Sequence, residues 1–364
     1  LVVDDSPIFR NAIVAALNKE ERVTVVGSVS DGKKALEFIT TSGDLPDLIT
    51  LDVEMPNMDG LETLNAIQEI NRSRGTDIGV LMISSLTDRG SEATVKALAA
   101  GAFDFIVKPS GENADQNMEA LRSSLLVKVR YYTIIKVRAS RPKAAAPAPS
   151  APVPSVIPAQ QGRVEAVVIG VSTGGPQTLS NFLPVLCDAV DLPILIVQHM
   201  PPLFTETLAR NLGLKCPRVV CEAAEGDKVE AKKIYIAPGG RHMTIRKNGT
   251  GSVYVALNDQ PTENGCKPSV NHLFRSASEA YSGNIVAIVL TGMGSDGSQS
   301  MSMLKQAGAY LIAQDEPTSV VWGMPKSAVE TGFVDEVLPV MSIPEAVKKA
   351  VERRAANGFE SKRI

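Results

Sequence analysis

The sequence predicts an α/β protein built from two mostly parallel sheets with helices on both faces. Two observations carry this. Short apolar runs alternate with helical patterns along the chain, and a Pro/Ala-rich seam divides that alternation in two. The length, 364 residues, fits two domains.

In the first part the expected strands are "LVVDD", "VTVVGSV", "DLITLDV", "GVLMISS" and "FDFIVKP", with a long helix from about Asp115 to Val137. The seam "RPKAAAPAPSAPVPSVIPAQQG", Arg141 to Gly162, has little to bury and reads as an extended linker. The second part repeats the logic with "EAVVIGVS", "LPILIVQH", "KIYIAP", "SVYVAL", "NIVAIVLT", "AYLIAQD" and "FVDEVLP", some of them as antiparallel edges. The expected boundaries are a first domain over 1–122, a helix extension and linker over 123–163, and a second domain over 164–356.

The composition, 44% hydrophobic and 21% charged, is that of ordinary soluble protein, and a net charge of −3 gives no electrostatic reason for nucleic-acid or membrane binding. Cys187, Cys216, Cys221 and Cys266 form no C-x-x-C pair. That argues against a disulfide framework or zinc site and suits a reducing cytosol. No apolar run reaches the roughly 18 residues of a membrane span, and no signal peptide is visible. The chain opens inside a strand, so a few residues before Leu1 are expected, and a removed leader stays open.

Chemistry-bearing residues fall at strand ends, where open α/β sheets place their functional crevice. In the first part these are Asp4, Asp5, Asp52, Ser84 and Lys108. Each aspartate alone reads more readily as a helix cap or turn residue. Together, three carboxylates repel unless a hard divalent cation such as Mg²⁺ relieves them. Lys108 can pair a phosphoryl oxygen, and Asp52 is then a candidate phosphoryl acceptor.

At this point a resemblance stands out. "VVDDS", "LDVEMPNMDGLE", "MISS" and "GAFDFIVKP" resemble the receiver domain of bacterial response regulators, over about residues 1 to 122. The resemblance implies a flavodoxin-like fold and phosphorylation of Asp52 by a partner histidine kinase. It implies Mg²⁺ held by Asp5, Asp52 and the Glu54 carbonyl, with Asp4 close by. Ser84, Lys108 and Phe105 match its switch positions, although Phe105 reads almost as well as a core aromatic.

In the second part Ser172 follows the strand "EAVVIGV" and precedes Gly174, Gly175 and a helix opening at Pro176. Free N–H groups at that helix start suit a developing negative charge. His199 ends "LPILIVQ", in place for a general base. Taken singly, Ser172 reads equally as a helix-capping serine and His199 equally as a structural histidine. His242 reads as a further site-lining residue, and His272 as structural. Asp296 lies in "TGMGSDG", whose Gly292, Gly294 and Gly297 spell G-x-G-x-x-G.

Two readings compete for that loop. In the first it cradles a dinucleotide pyrophosphate, with Asp315 on a ribose hydroxyl. That sets the anionic Asp296 beside a diphosphate and gives Ser172 and His199 no task. In the second, Asp296 orients His199 in a Ser-His-Asp triad, which uses all three strand ends. The order Ser–His–Asp differs from the Ser–acid–His order of α/β-hydrolases, so the literal G-x-S-x-G around Ser172 reads as coincidence. A nucleotide-binding sensor module is the reading from a different class.

"IGVSTGGPQTL", "VQHMPPLFTETLA", "EGDKV", "YIAPGGRHM", "KPSVNHLFRSA", "LTGMGSDGS" and "VVWGMPKSA" resemble the chemotaxis protein-glutamate methylesterase family, often called CheB. With the receiver-like part, the resemblance covers nearly the whole chain. It implies a doubly wound catalytic domain that hydrolyses glutamate γ-methyl esters on chemoreceptors and deamidates certain glutamines. It implies a triad of Ser172, His199 and Asp296, and oxyanion donors at the backbone of Thr173 and Met293. No cofactor is implied for hydrolysis. It further implies a chemotaxis histidine kinase as phosphodonor, a cytoplasmic location with peripheral access to receptors, and a receiver that covers the cleft until phosphorylated.

Overall fold

The computed structural model describes residues 1–111, 113–139 and 162–360. The chain divides into two compact units, Leu1–Ala146 and Pro147–Ile364, each described by itself. The expected linker lies, but for Gly162, outside the described residues.

In the first unit five strands alternate with five helices: β1 (Val2–Val3), α1 (Pro7–Leu17), β2 (Ser28–Val29), α2 (Gly32–Thr41), β3 (Leu48–Asp52), α3 (Gly60–Arg74), β4 (Gly79–Ser84), α4 (Asp88–Ala99), β5 (Asp104–Val107) and α5 (Ala114–Ala139). The order β2-β1-β3-β4-β5, with every pairing parallel, is the flavodoxin-like one. "NMDGLE" is legible physically. Asp59 caps α3 by accepting from Glu62 N–H, and the Glu62 carboxylate accepts from Asp59 N–H in return, a capping box. The apolar run "VTVVGSV" is shorter as a strand than expected: only Ser28 and Val29 pair, at the sheet edge.

The second unit runs β6 (Ala166–Val171), α6 (Gly175–Ala189), β7 (Ile194–Gln198), α7 (Phe204–Gly213), β8 (Val219–Glu222), β9 (Lys233–Ile236), β10 (His242–Lys247), β11 (Val253–Asn258), α8 (Val270–Ala280), β12 (Ile285–Val289), α9 (Met301–Gln306), β13 (Tyr310–Gln314), α10 (Met324–Glu330), β14 (Glu336–Leu338) and α11 (Ile343–Glu360). Seven strands form one parallel sheet in the order β14-β13-β12-β6-β7-β9-β8. Every residue of β6, β7 and β12 is buried, as expected of strands covered on both faces. Val168, Leu195, Val270, Phe274 and Ile285 belong to the core around them.

Two strands escape the sequence expectation. β8 is a half-exposed edge whose Val219 is 63% exposed. β10 pairs β11 in an antiparallel hairpin outside the main sheet, so the antiparallel pairing is here rather than at the sheet edges.

Candidate active site

Ser172 follows β6, His199 follows β7, and Asp296 lies in the loop after β12. β6 lies between β12 and β7, and strand order reverses between β12 and β6, so these ends meet at the topological switch point. Backbone bonds fix the juxtaposition. Ser172 N–H donates to Thr291 O at 3.0 Å, and His199 N–H to Val171 O at 3.1 Å. The buried Gln198 amide donates to Ser172 O at 2.9 Å and His199 O at 3.3 Å, pinning both turns.

Two glycines are required by close approach. A Cβ on Gly292 would sit 2.8 Å from Ser172 Cβ and 2.5 Å from Met324 Sδ. The loop after β12 therefore packs directly on the serine, and the next residue is Met293. Met293 N–H donates to no described residue. A Cβ on Gly175 would sit 1.9 Å from Gln198 Oε1, so the first turn of α6 needs glycine to lie against the strand end. Thr173 is buried, and its carbonyl accepts from Thr291 Oγ1 at 3.0 Å.

His199 and Asp296 form the best-built pair in the site. His199 Nε2 donates to Asp296 Oδ2 at 2.8 Å, with the two side chains 13% and 2% exposed. Oδ2 also accepts from Val270 N–H at 2.7 Å. Oδ1 accepts from Ser269 Oγ at 2.8 Å, Asn271 N–H at 3.3 Å and Gly297 N–H at 3.0 Å. The carboxylate thus sits on the N-terminus of α8, where orphan N–H groups and the helix dipole favour negative charge. Burial alone would raise its carboxyl; the His199 bond and charge, with Val270 N–H and Ser269, hold it below the usual carboxylate range. Burial alone would press the imidazole down; the bonds to Asp296 and Cys266 outweigh it and raise His199 to about 9.

With Nε2 committed to Asp296, the proton-accepting position is Nδ1. The structure places Cys266 Sγ 3.6 Å from it. Ser172 Oγ makes no hydrogen bond to the imidazole, although resting-state catalytic bonds are often long.

The remaining sequence candidates take other places. His242 is fully buried. Its Nδ1 accepts from Ser269 N–H at 3.1 Å and its Nε2 donates to Pro261 O at 3.0 Å, so it braces the cap behind Asp296 instead of lining a cavity. His272, in α8, stacks on it at 3.8 Å. Asp315 is spent on its own turn, accepting from Thr318 N–H at 3.1 Å. The G-x-G-x-x-G loop carries the Asp296 carboxylate, which takes the loop's own Gly297 N–H, and that charge speaks against a pyrophosphate there.

In the first unit, Asp4, Asp5 and Asp52 each offer an oxygen within 4.8 Å of the others. Lys108 Nζ lies 2.7 Å from Asp52 Oδ2 and 3.0 Å from Asp4 Oδ2. Asp4 Oδ2 is buried and makes no hydrogen bond beyond that ion pair. An all-oxygen cluster with an unsaturated buried oxygen fits a hard divalent cation. Burial pushes Asp52 up to about 6, with Asp4 and Asp5 adding and Lys108 opposing. Burial would lower Lys108, but its pairing with Asp52 and Asp4 raises it. Ser84 is fully buried, its hydroxyl donating to Ser85 O and Gly90 O, both at 3.2 Å. Phe105 is buried at 8% exposure. Glu54 is exposed, and its side chain accepts from Ser85 Oγ at 3.2 Å.

Sequence reasoning missed Gln198, Thr291, Ser269 and Cys266. Gln198 had a signal, a lone amide closing an apolar run. Ser269 had one as well, a serine opening a helical pattern. Cys266 had none, because a fold contact alone brings it to His199.

Comparison with known proteins adds the following. Residues 167–347 match the CheB methylesterase family, and residues 1–120 match the response regulator receiver domain. The chain is 41% identical to a protein-glutamate methylesterase/protein-glutamine glutaminase of Desulfotalea psychrophila, over 97% of this chain and 98% of that one. It is 40% identical to the protein of the same name from Pyrococcus abyssi, over 98% of this chain and 95% of that one. Among solved structures, the CheB methylesterase catalytic domain of Thermotoga maritima is 40% identical and covers 51% of this chain and 97% of its own, with a TM-score of 0.49.

Proposed function

The chain belongs to the CheB methylesterase family, with a response regulator receiver domain ahead of the esterase domain, and from that premise we propose that it is a phosphorylation-regulated protein-glutamate methylesterase and protein-glutamine glutaminase acting on chemoreceptors. We assign the reaction to Ser172, His199 and Asp296. The observation that carries the assignment is the His199–Asp296 pair, held by four further donors at the sheet's switch point beside Ser172.

Asp296 keeps the proton on Nε2, so Nδ1 presents a lone pair. Ser172 Oγ attacks the γ-ester carbonyl while Nδ1 takes its proton. The backbone N–H groups of Thr173 and Met293 stabilise the oxyanion. The tetrahedral intermediate expels methoxide, which takes the proton from Nδ1 and leaves as methanol. A water then adds to the acyl-enzyme by the same route, giving glutamate and free Ser172. With glutamine the leaving group is ammonia. General base help of this kind contributes roughly 10²–10⁴-fold, and each oxyanion donor roughly 10²–10³-fold.

In the receiver domain we assign phosphorylation to Asp52, by a chemotaxis histidine kinase. Asp4, Asp5, Asp52 and the Glu54 carbonyl would hold Mg²⁺, which when bound screens the charge gathered around the acceptor. The Asp52 oxygen attacks phosphorus, the bond to the donor breaks, and Lys108 pairs a phosphoryl oxygen. Ser84 and Phe105 then act as switch positions that raise esterase turnover. The domain boundaries 1–122 and 164–356 and a cytoplasmic location complete the reading. Among the described residues no helix is long and apolar enough to cross a membrane.

A serine-directed fluorophosphonate probe tests the assignment. Label is expected on the peptide carrying Ser172 and absent after Ser172→Ala. Equal labelling of the variant would end it, as would nucleotide-dependent thermal stabilisation of the esterase domain that survives loss of Ser172.

A further inference from the structure

Cys266 is not part of the proposed reaction, yet it occupies the atom the reaction needs. Its Sγ lies 3.6 Å from His199 Nδ1. It stands on a two-residue hairpin. Glu263 and Cys266 exchange N–H···O bonds of 3.1 and 2.9 Å across Asn264 and Gly265, both with positive φ. Asn-Gly is the favoured pair for a hairpin turn with both central residues at positive φ. Glu263 is in turn held by Arg275 at 2.8 Å. His199 and Cys266 are both half-buried, within reach of an ion from solvent.

We propose that His199 Nδ1 and Cys266 Sγ form an inhibitory site for Zn²⁺ or a similar soft divalent ion. Three observations support it. Zn–S of about 2.3 Å and Zn–N of about 2.0–2.1 Å at a tetrahedral angle put sulfur and nitrogen about 3.5–3.6 Å apart, the spacing found here. The other ring nitrogen donates to Asp296, the carboxylate–histidine arrangement that orients metal-bound imidazoles. His199, Cys266 and Asp296 each also offer a ligand-type atom within 4.8 Å of the others. Thiolate and imidazole also select for zinc over magnesium, which favours the all-oxygen receiver pocket.

Binding releases the thiol proton and, where the imidazole is charged, the Nδ1 proton to solvent, and forms Zn–S and Zn–N bonds. The Nδ1 lone pair is then committed, so it cannot accept the Ser172 proton. Waters complete the coordination. The inhibitory effect, though not the binding, rests on the triad reading above.

The test uses the full chain in excess Mg²⁺ with a phosphine reductant. Co²⁺ is titrated first, and the thiolate-to-cobalt absorption band is read. One equivalent is expected to develop the band in wild type and in Cys221→Ala, but not in Cys266→Ala or Cys266→Ser. Zn²⁺ should bleach it. Methanol release is then measured against Zn²⁺, each protein relative to its own metal-free rate. Wild type should lose activity at micromolar Zn²⁺ and recover with chelator, while Cys266→Ala should need about tenfold more zinc or beyond. A band that persists without Cys266, no band in wild type, or equal zinc sensitivity would overturn the site. A Cys266-dependent band in a chain that releases no methanol would sustain the site and strike the esterase reading instead.

Discussion

Replacing Asp296 by Asn removes a charge and leaves the shape of the side chain. Five donors converge on its two oxygens: His199 Nε2, the N–H groups of Val270, Asn271 and Gly297, and Ser269 Oγ. An amide has one accepting oxygen, so one set of donors must face an NH₂ group. With the NH₂ toward the imidazole, Nε2 becomes an acceptor and the proton moves to Nδ1, the wrong tautomer for deprotonating Ser172. Loss of about 10⁴-fold in kcat is expected, the size known for this change in a serine-protease triad.

The charge also sets the titration. His199 stands at about 9, against an ordinary imidazole near 6.5. The gap corresponds to roughly 3 kcal/mol of stability, shared between Asp296 and Cys266. Because the folded value is the higher one, this stability is complete below about pH 6.5 and is lost as pH rises to about 9. Catalysis runs the other way, since the base must be neutral. In wild type, kcat/KM for methanol release should climb toward about pH 9, and in Asp296→Asn the limb should move toward the ordinary imidazole value. Urea unfolding should show wild type losing its advantage over the variant across the same window. A limb that stays in place, or turnover within tenfold of wild type, would refute the reasoning.

Other expected outcomes concern separate parts of the account. Gly292→Ala drives a Cβ into Ser172 and Met324. It should cost about 1–3 kcal/mol in urea unfolding and lower kcat more than it changes KM; unchanged kcat would contradict the packing of that loop on the serine. Ser269→Ala removes both a cap on α8 and a donor to Asp296, with an expected loss of about 1 kcal/mol that denaturant unfolding checks. Asp52, raised to about 6, binds more protons folded than unfolded between about pH 4 and 6. Wild type should therefore lose stability over that range in EDTA while Asp52→Asn does not, and adding Mg²⁺ should raise the Tm of wild type more than that of the variant.

The legible part of the fold was the part buried on both faces. "AVVIGV", "ILIVQ" and "IVAIV" are continuous apolar runs because β6, β7 and β12 have no solvent side. β8 was illegible because an exposed edge of four residues needs no such run. β10 alternates in period two, with Met243 and Ile245 buried and Arg246 exposed, but its charged end masked the pattern. The site was legible for the same reason as the sheet: parallel strands deliver their C-terminal residues to one rim, so Ser172, His199 and Asp296 announce themselves by position. Ser269 and Cys266 reach the rim from the connection between β11 and α8, and only tertiary packing puts them there. His242 misled because a histidine after a glycine pair resembles a site residue, whereas both its nitrogens are spent on backbone groups.

Methanol release from methylated chemoreceptor membranes, by wild type and Ser172→Ala with a small phosphodonor present, tests the central assignment most directly. Wild type should release methanol, faster with the phosphodonor than without, and the variant should release none above the membranes alone. Release by Ser172→Ala at a rate near that of wild type would contradict the assignment of Ser172 as nucleophile.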